Sequence, residues 1–202
     1  MKNKQISKFK YCLLVIILCN LIASCSTDLD DYQKTTYQDS NKKERQEPFD
    51  IKTFFDGEVI AWGVVQNYAD KVSRRFCVEM VGTWQNNEGL LAEKFYFNDG
   101  EISFRDWYLS KKPDGSYEGT ASDVVGVAIG KHQGFAFQFK YELSLVVDDK
   151  TYQVSMDDWM YQLDEHRVIN KTSMSKFGVN VAEITLFFDK EQQNKKCSNN
   201  AI

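Results

Sequence analysis

Proline is nearly absent from this sequence, in which Pro48 and Pro113 are the only two among 202 residues. Because proline lacks the N–H that a β ladder requires, long paired strands tolerate it poorly. Histidine is as scarce, with only His132 and His166. No Cys/His spacing typical of a metal site occurs, so we predict neither a metal nor a cofactor. The scarcity of proline therefore leaves the chain free to form uninterrupted β-sheet.

Catalytic motifs are also missing. The sequence contains no G-x-S-x-G, no H-E-x-x-H and no phosphate-binding P-loop. The glycines at 119, 126, 130 and 134 do not follow the strand-then-helix pattern of a phosphate cradle, and twisted or bulged strands explain them better. We assign no catalytic residue, and whether the protein is an enzyme stays open, with a non-enzyme favoured.

Five cysteines occur, of which Cys12 and Cys19 lie in the first 24 residues. Cys25 follows that segment, which leaves Cys77 and Cys197. An oxidising compartment would permit a disulfide between these two. Since Cys197 lies in a polar tail, we favour an unpaired Cys77 on a strand and keep the disulfide as the alternative.

No apolar run is long enough to span a bilayer, which takes about 20 residues. The longest, 11–22, follows four lysines and is typical of a signal peptide. The next residues, Ile22-Ala23-Ser24-Cys25, resemble the lipobox of bacterial lipoproteins. The resemblance implies removal of residues 1–24 and attachment of lipid, palmitate included, to Cys25. An ordinary signal peptide or an uncleaved anchor is the alternative.

The resemblance also implies a location. Ser26 stands where an aspartate would indicate retention in the inner membrane. We therefore expect a lipid anchor in the outer membrane, with the domain facing the periplasm. Without residues 1–24 the chain keeps 21 basic against 29 acidic residues, a net charge of −8. This acidity argues against a nucleic-acid partner, because phosphate binding needs a positive field. The oligomeric state is not predicted.

Polar segments flank one domain. We predict a lipidated flexible tether over 25–47, a folded domain over 48–189 and a disordered polar tail over 190–202, since the flanks carry too few apolar residues to fold. The chain contains 14 Phe, 10 Tyr and 4 Trp. Most of them lie within 48–189, where they favour strands and supply a sizeable core or a lined cavity.

Apolar residues alternate with polar ones along most of this domain, most clearly over 135–147. A helix would scatter those side chains, whereas a strand places them on one face. Turn-forming residues separate the alternating runs. We predict one short helix within 49–55 and ten strands, at 57–66, 72–84, 90–98, 101–111, 116–123, 125–131, 134–147, 151–163, 167–177 and 181–189.

Short turns between these strands indicate antiparallel neighbours in an up-and-down order. Such an all-β chain forms either a barrel or a sandwich. Closure removes the exposed edges on which sheets aggregate, so we predict a closed, lipocalin-like antiparallel barrel of about ten strands. Trp62 on the first strand resembles the tryptophan that lipocalins place there. Its context, Ala61-Trp62-Gly63, departs from Gly-x-Trp, so this likeness concerns architecture alone.

Six stretches together resemble the DUF3833 family of proteobacterial lipoproteins. They are FDIKTFFDG at 49–57, RRF at 74–76, VGTW at 81–84, TASDVVG at 120–126, DDWM at 157–160 and MSKFG at 174–178. The resemblance spans the whole predicted domain. It implies a lipidated cell-envelope protein and carries no activity or site residue, because the family is uncharacterised.

Several polar residues share the alternation of the apolar faces and are expected inside the barrel. They are Arg74, Asp123, Asp158, Asn170 and Lys176. A bulge at Asp157 and Asp158 would instead turn Asp157 inward. Trp159 is a candidate for stacking on a ligand. Without a bulge, neighbours on one strand face opposite ways, so Asp157 and Asp158 do not form an acid–base pair.

Three functions fit this pattern. The first is binding or carriage of an apolar ligand, such as a lipid or fatty acyl chain, with the polar residues orienting its head. The second is a structural or interaction lipoprotein, in which the same residues form a structural network. The third is an envelope enzyme acting on lipids, with Asp123, Asp158 and Lys176 near the reaction. We favour the first.

Overall fold

The computed structural model describes residues 48–147, 149–192 and 196–197. These residues form one short helix followed by ten strands. The helix is α1, Ile51–Phe54. The strands are β1 Gly57–Asn67, β2 Val72–Gln85, β3 Glu88–Phe97, β4 Ile102–Lys111, β5 Tyr117–Thr120, β6 Val124–Gln133, β7 Ala136–Val147, β8 Lys150–Gln162, β9 Arg167–Lys176 and β10 Val179–Asp189.

The ten strands close into a single antiparallel barrel. Each strand pairs with the next along the chain, and β1 pairs with β10 to complete the ring. Connections of two to five residues join consecutive strands, which permits only antiparallel neighbours. The predicted fold class is confirmed, and the sandwich alternative is wrong. The predicted strand bounds agree with the observed ones to within three residues.

Side-chain alternation decides which residues enter the barrel. On β7, Phe137 and Phe139 face inward. The next residue, Lys140, points to the outer face and is exposed. The β7–β8 register is continuous and pairs Phe139 with Asp158 and Lys140 with Asp157. No bulge therefore occurs at Asp157 and Asp158, and Asp158 is the inward residue of the two.

The helix closes one end of the barrel. Phe54 and Phe55 pack edge-to-face against Phe188, and the backbone oxygen of Phe55 lies against Gly82. A Cβ at position 82 would lie 1.5 Å from that oxygen, so only glycine allows this approach. Tyr117, fully buried on β5, donates a hydrogen bond to Asp50 beside the helix. We call this the helix end, and the opposite end, formed by the β1–β2, β3–β4, β7–β8 and β9–β10 turns, the turn end.

Backbone pairing in the barrel wall is least complete between β4 and β6. The short strand β5 pairs with only four residues of β4, from Tyr108 to Lys111. Toward the turn end, Ile102–Trp107 has no β5 partner among the pairings of the described strands. The β6–β7 register also shifts between Val125 and Ile129. Side chains rather than a backbone ladder therefore complete the wall here.

A disulfide links Cys77 on β2 to Cys197. The preference for an unpaired Cys77 was wrong, because polar residues between β10 and Cys197 do not stop the chain from returning to the barrel. The bond lies on the outer face, where both cysteines are buried with Ile60. The backbone N–H of Cys197 donates to Glu79, 2.7 Å away, which also accepts from Tyr96. Part of the predicted polar tail is thus attached to the barrel.

The described residues contain an apolar core. All ten strands, the helix and both disulfide cysteines lie between residues 48 and 197, and one apolar cluster runs from Phe49 to Phe188. In this part of the chain, no helix has the length and apolarity to cross a bilayer. The predicted signal peptide, the lipidation site Cys25 and the tether lie outside the described residues, as does most of the tail.

Candidate functional site

The barrel encloses a cavity of about 580 Å³. At the helix end its floor is formed by Ile51 and Phe55, and near the turn end its lining includes Arg74. The Arg74 side chain is about one-third exposed (31%). The lining therefore reaches solvent at the turn end, and we call that opening the mouth.

Aromatic rings form much of the wall. Trp107 on β4 lies 5.3 Å, between ring centroids, from both Phe139 and Tyr141 on β7. Phe95 and Phe97 on β3 stack with a centroid separation of 6.1 Å. These rings follow from the period-two pattern, which puts one large side chain per two residues on the inner face. The walls suit the apolar part of a ligand.

A cluster of polar side chains crosses the cavity at mid-height. Seven residues from five strands and one connection belong to it, and we call it the polar belt. Its members are Glu93, Arg105, Asp123, Tyr141, Asp158, Asn170 and Thr172, all of which line the cavity. Residues on strands far apart in sequence meet here because the barrel closes.

Arg105 and Asp123 form the ion pair of the polar belt. The Arg105 Nε donates to Asp123 Oδ2 over 3.1 Å, and one Nη also donates to that oxygen. The other oxygen, Oδ1, is buried and has no hydrogen-bond partner among the described residues. Burial lowers the pKa of Arg105, but Glu93, Tyr141 and Asp123 outweigh it and raise the pKa overall.

Glu93 lies opposite Arg105 in the β3–β4 register. Within the described chain, no group donates a hydrogen bond to its carboxylate and no cation lies within ion-pair distance. Burial raises the pKa of Glu93 to about 7, against the opposing attraction of Arg105, and Asp158 and Asp123 add to the rise. Burial therefore favours the neutral form of Glu93 over its charged form, relative to an exposed glutamate.

Asp158 is buried on the far wall and accepts a hydrogen bond from the Asn170 amide. Asn170 accepts in turn from Thr172 over 3.1 Å. Burial raises the pKa of Asp158 to about 6, although hydrogen bonds from Asn170 and Thr172 act to lower it. Burial likewise raises the pKa of Tyr141, and Asp158 adds to that rise, so the phenol stays neutral.

Arg74 lies at the mouth of the cavity and is not part of the polar belt. Its guanidinium lies 3.6 Å above the centre of the Phe97 ring and pairs with Asp99 and Glu101 on the β3–β4 connection, at 2.8 and 2.9 Å. Exposed pairs of this kind contribute little to stability. They do hold the guanidinium at the side of the opening.

Four of the six residues predicted from sequence line the cavity: Arg74, Asp123, Asp158 and Asn170. Lys176 does not, because it ends β9 at the turn end, where its ammonium lies 4.1 Å from the Tyr152 ring centre. Trp159 does not either, because it faces outward beside Asp158 and stacks on Tyr161 at 6.0 Å. The structure therefore places Lys176 and Trp159 outside the cavity lining.

Sequence reasoning missed Glu93, Arg105, Tyr141 and Thr172 as polar lining. The sequence signal for Arg105 was present on β4, where Arg105 shares its face with the apolar residues Trp107 and Leu109. On β3 it was obscured, because Leu90 and Ala92 on the other face are apolar as well. A strand that is apolar on both faces does not show which way Glu93 points.

The geometry limits the chemistry. Lys176 is absent from the polar belt, so the predicted set of Asp123, Asp158 and Lys176 does not come together. Asp157 faces outward and accepts from Gln138 over 2.6 Å, so it does not share a substrate atom with Asp158. Within the ranges that the structure describes, no group of three His, Cys, Asp or Glu side chains is arranged to hold a metal.

Comparisons with known proteins agree with the fold. The S-type phycobiliprotein lyase CPES from Guillardia theta has a similar structure, with a TM-score of 0.52 and 9% sequence identity. The match covers 73% of this chain and 94% of the lyase chain. At this identity the likeness concerns the lipocalin-like barrel alone. No curated protein matches the sequence. A family model described as "Protein of unknown function (DUF3833)" matches residues 19–190.

Proposed function

Because the chain belongs to the DUF3833 family, which has no assigned function, we propose its function from the cavity: it binds or carries an apolar small molecule, such as a lipid or an acyl chain. The observation that carries the proposal is a cavity of about 580 Å³ with aromatic walls and a polar belt. Binding sites for small amphiphiles combine these two features.

The floor and the mouth support the same proposal. Phe55 and Ile51 close the helix end, so an apolar tail directed there is shielded from water. The polar belt lies between that floor and the mouth, where it can orient a polar group. Water beside the aromatic walls finds few hydrogen-bond partners, so an apolar tail of matching size is favoured there because it displaces that water and contacts the walls.

We further propose that lipid on Cys25 holds the barrel at the outer membrane, on its periplasmic face. The lipobox-like residues 22–25 and the short apolar run before them support this, and the family match includes Cys25. Several buried acyl chains make a durable anchor. A disulfide that joins β2 to residue 197 also suits an oxidising compartment.

Cavity binding is tested with the chain from residue 26 onward, exported to the periplasm by a cleavable signal that lacks a lipobox. This form contains the whole described fold and needs no detergent, which would compete for the cavity. N-phenyl-1-naphthylamine, a fluorescent apolar probe, is titrated into the protein, and wild type is expected to bind it saturably at about one equivalent.

Two matched variants locate the probe. Ala182→Trp places a large ring inside the cavity, and Ala92→Trp places the same ring on the outer face of β3. We expect A182W to weaken binding at least tenfold and A92W to leave it within twofold. Absence of saturable binding by wild type, or equal effects of the two variants, contradicts the proposal.

The anchor is tested separately on the full chain. Metabolic labelling with an alkyne analogue of palmitate is expected to label wild type and not Cys25→Ala. Fractionation is expected to place the labelled protein in the outer membrane. Equal labelling of the two proteins would rule out Cys25 as the lipid site and leave the cavity proposal unaffected.

A further inference from the structure

We infer that the polar group of the ligand is a protonated amine, held by Glu93 and Asp158 in the polar belt. The inference rests on the proposed function, because it takes the cavity as the site of an amphiphile. It narrows the ligand from apolar molecules in general to those that carry a cationic nitrogen beside the apolar tail.

Acidic groups outnumber available cations inside the barrel. Both arginines of the lining already have carboxylate partners. Arg105 is hydrogen-bonded to Asp123 and also attracts Glu93. Arg74 pairs with Asp99 and Glu101 at the mouth, where its Nε has no hydrogen-bond partner among the described residues. Glu93 and Asp158 form no ion pair with any described residue. The polar belt thus holds three carboxyl groups and one guanidinium, an imbalance that a cationic ligand would correct.

Glu93 and Asp158 face the same space from different walls. Glu93 projects from β3 and Asp158 from β8, and both line the cavity. Because both carboxyl groups line one cavity, two negative charges there repel each other, and the charge of Asp158 accordingly acts to raise the pKa of Glu93. A cation between them would relieve this repulsion, whereas a fatty carboxylate would add a further negative charge to a poorly solvated site.

The hydrogen-bonding inventory favours the same group. An ammonium carries three N–H donors and no acceptor. The polar belt offers unused acceptors: the Glu93 carboxylate receives no hydrogen bond from the described chain, and Asp123 Oδ1 is buried without a donor. A ligand carboxylate would bring only acceptors to these acceptors.

The test compares three ligands with the same tail, namely decylammonium, 1-decanol and decanoate. Each displaces N-phenyl-1-naphthylamine from the exported chain at pH 7.5. We expect decylammonium to bind at least tenfold more tightly than decanoate, with decanol between them. The neutral alcohol reports on the cavity alone, because it has the tail without the charge.

Variants then assign the preference to the two carboxyl groups. Glu93→Gln and Asp158→Asn keep the shape and remove one charge each. Either is expected to reduce the preference for amine over acid at least threefold while leaving decanol binding within twofold. Glu118→Gln is the matched control, because Glu118 faces outward on β5 and pairs with Lys112; it is expected to leave the preference unchanged.

The outcomes separate the two proposals. If decanol binds and decanoate matches or exceeds decylammonium, the amine inference is overturned and the cavity proposal stands. If none of the three ligands displaces the probe, the cavity proposal falls and the inference falls with it. A preference for the amine that E118Q abolishes as fully as E93Q would also overturn the inference, because surface charge would then explain it.

Discussion

Arg105 gives both of its hydrogen bonds to one oxygen of Asp123 and leaves the other oxygen buried without a partner among the described residues. The pair lies where the backbone pairing of the wall is least complete. Arg105 is on the part of β4 that has no β5 partner, and Asp123 is in the β5–β6 connection. A side-chain contact therefore bridges strands that the backbone ladder does not join.

Removing the Arg105 charge is expected to destabilise the barrel. Arg105→Leu leaves Glu93, Asp123 and Asp158 without their counter-charge. Because the side chains of the Arg105–Asp123 pair are 22% and 33% exposed, we expect a loss of about 1–3 kcal/mol, below the cost of breaking a fully buried pair. Urea unfolding at pH 7.5 measures the loss. Arg74→Leu is the control, because its pairs at the mouth are partly exposed and contribute at most about 1 kcal/mol. Equal losses of unfolding free energy in the two variants would show that the Arg105–Asp123 pair contributes no more to stability than the pairs at the mouth.

Glu93 is expected to make stability fall as the pH rises. Its pKa of about 7 in the folded barrel exceeds the ordinary value of 4.5, so the folded state binds the proton more tightly. The free energy of unfolding therefore decreases between about pH 4.5 and pH 7. Glu93→Gln removes this dependence and should be more stable than wild type at pH 8 by about 2 kcal/mol, with no difference at pH 5.

Thermal unfolding at both pH values measures the effect of Glu93→Gln. Asp158 retains its own raised pKa in this variant, so a weaker decline of stability with pH persists. Glu118→Gln serves as the surface control and should match wild type at both values. A variant that is less stable than wild type at pH 8 would contradict the assigned direction.

The disulfide is expected to contribute about 2–5 kcal/mol, because it closes a long loop in the unfolded chain. Its cysteines are separated by 120 residues. The double variant Cys77→Ser, Cys197→Ser should unfold at lower urea than wild type. Dithiothreitol should lower the wild-type midpoint to that of the variant and leave the variant unchanged. A wild-type midpoint insensitive to the reductant would mean that the bond does not form.

Gly82 is expected to tolerate no side chain. Gly82→Ala would place a Cβ against the backbone oxygen of Phe55, so the helix must shift away from the barrel. Overpacking of this kind costs about 1–3 kcal/mol or more. Thr83→Ala, at the exposed neighbouring position, should cost less than about 0.5 kcal/mol. Thermal unfolding compares them, and equal midpoints would place the helix elsewhere.

Much of the fold was predictable because strand alternation is a local signal. The inward positions of β7 and the inward Asp158 follow from period two alone, without any knowledge of neighbours. Lys176 shows the limit of the signal. Its parity agrees with the inner face, but it ends a strand at the mouth, and parity does not say how far along the barrel a residue lies.

Pairings between distant residues were not predictable. Cys77 and Cys197 meet only because residue 197 lies against the outer face of β2, which no local pattern encodes. Glu93 and Asp158 interact only because β3 and β8 are bent around one cavity. Trp159 was placed in the site by its neighbours in sequence, yet neighbours on a strand face opposite sides of the wall.

The local sequence pattern alone thus determined the strands, their antiparallel order and the inward or outward direction of most side chains. These features depend on backbone geometry over only a few residues. Ring closure settled the rest: the cavity, the balance of charge within it and the disulfide. These depend on distances between segments far apart in the chain, and such distances exist only once β1 and β10 have paired.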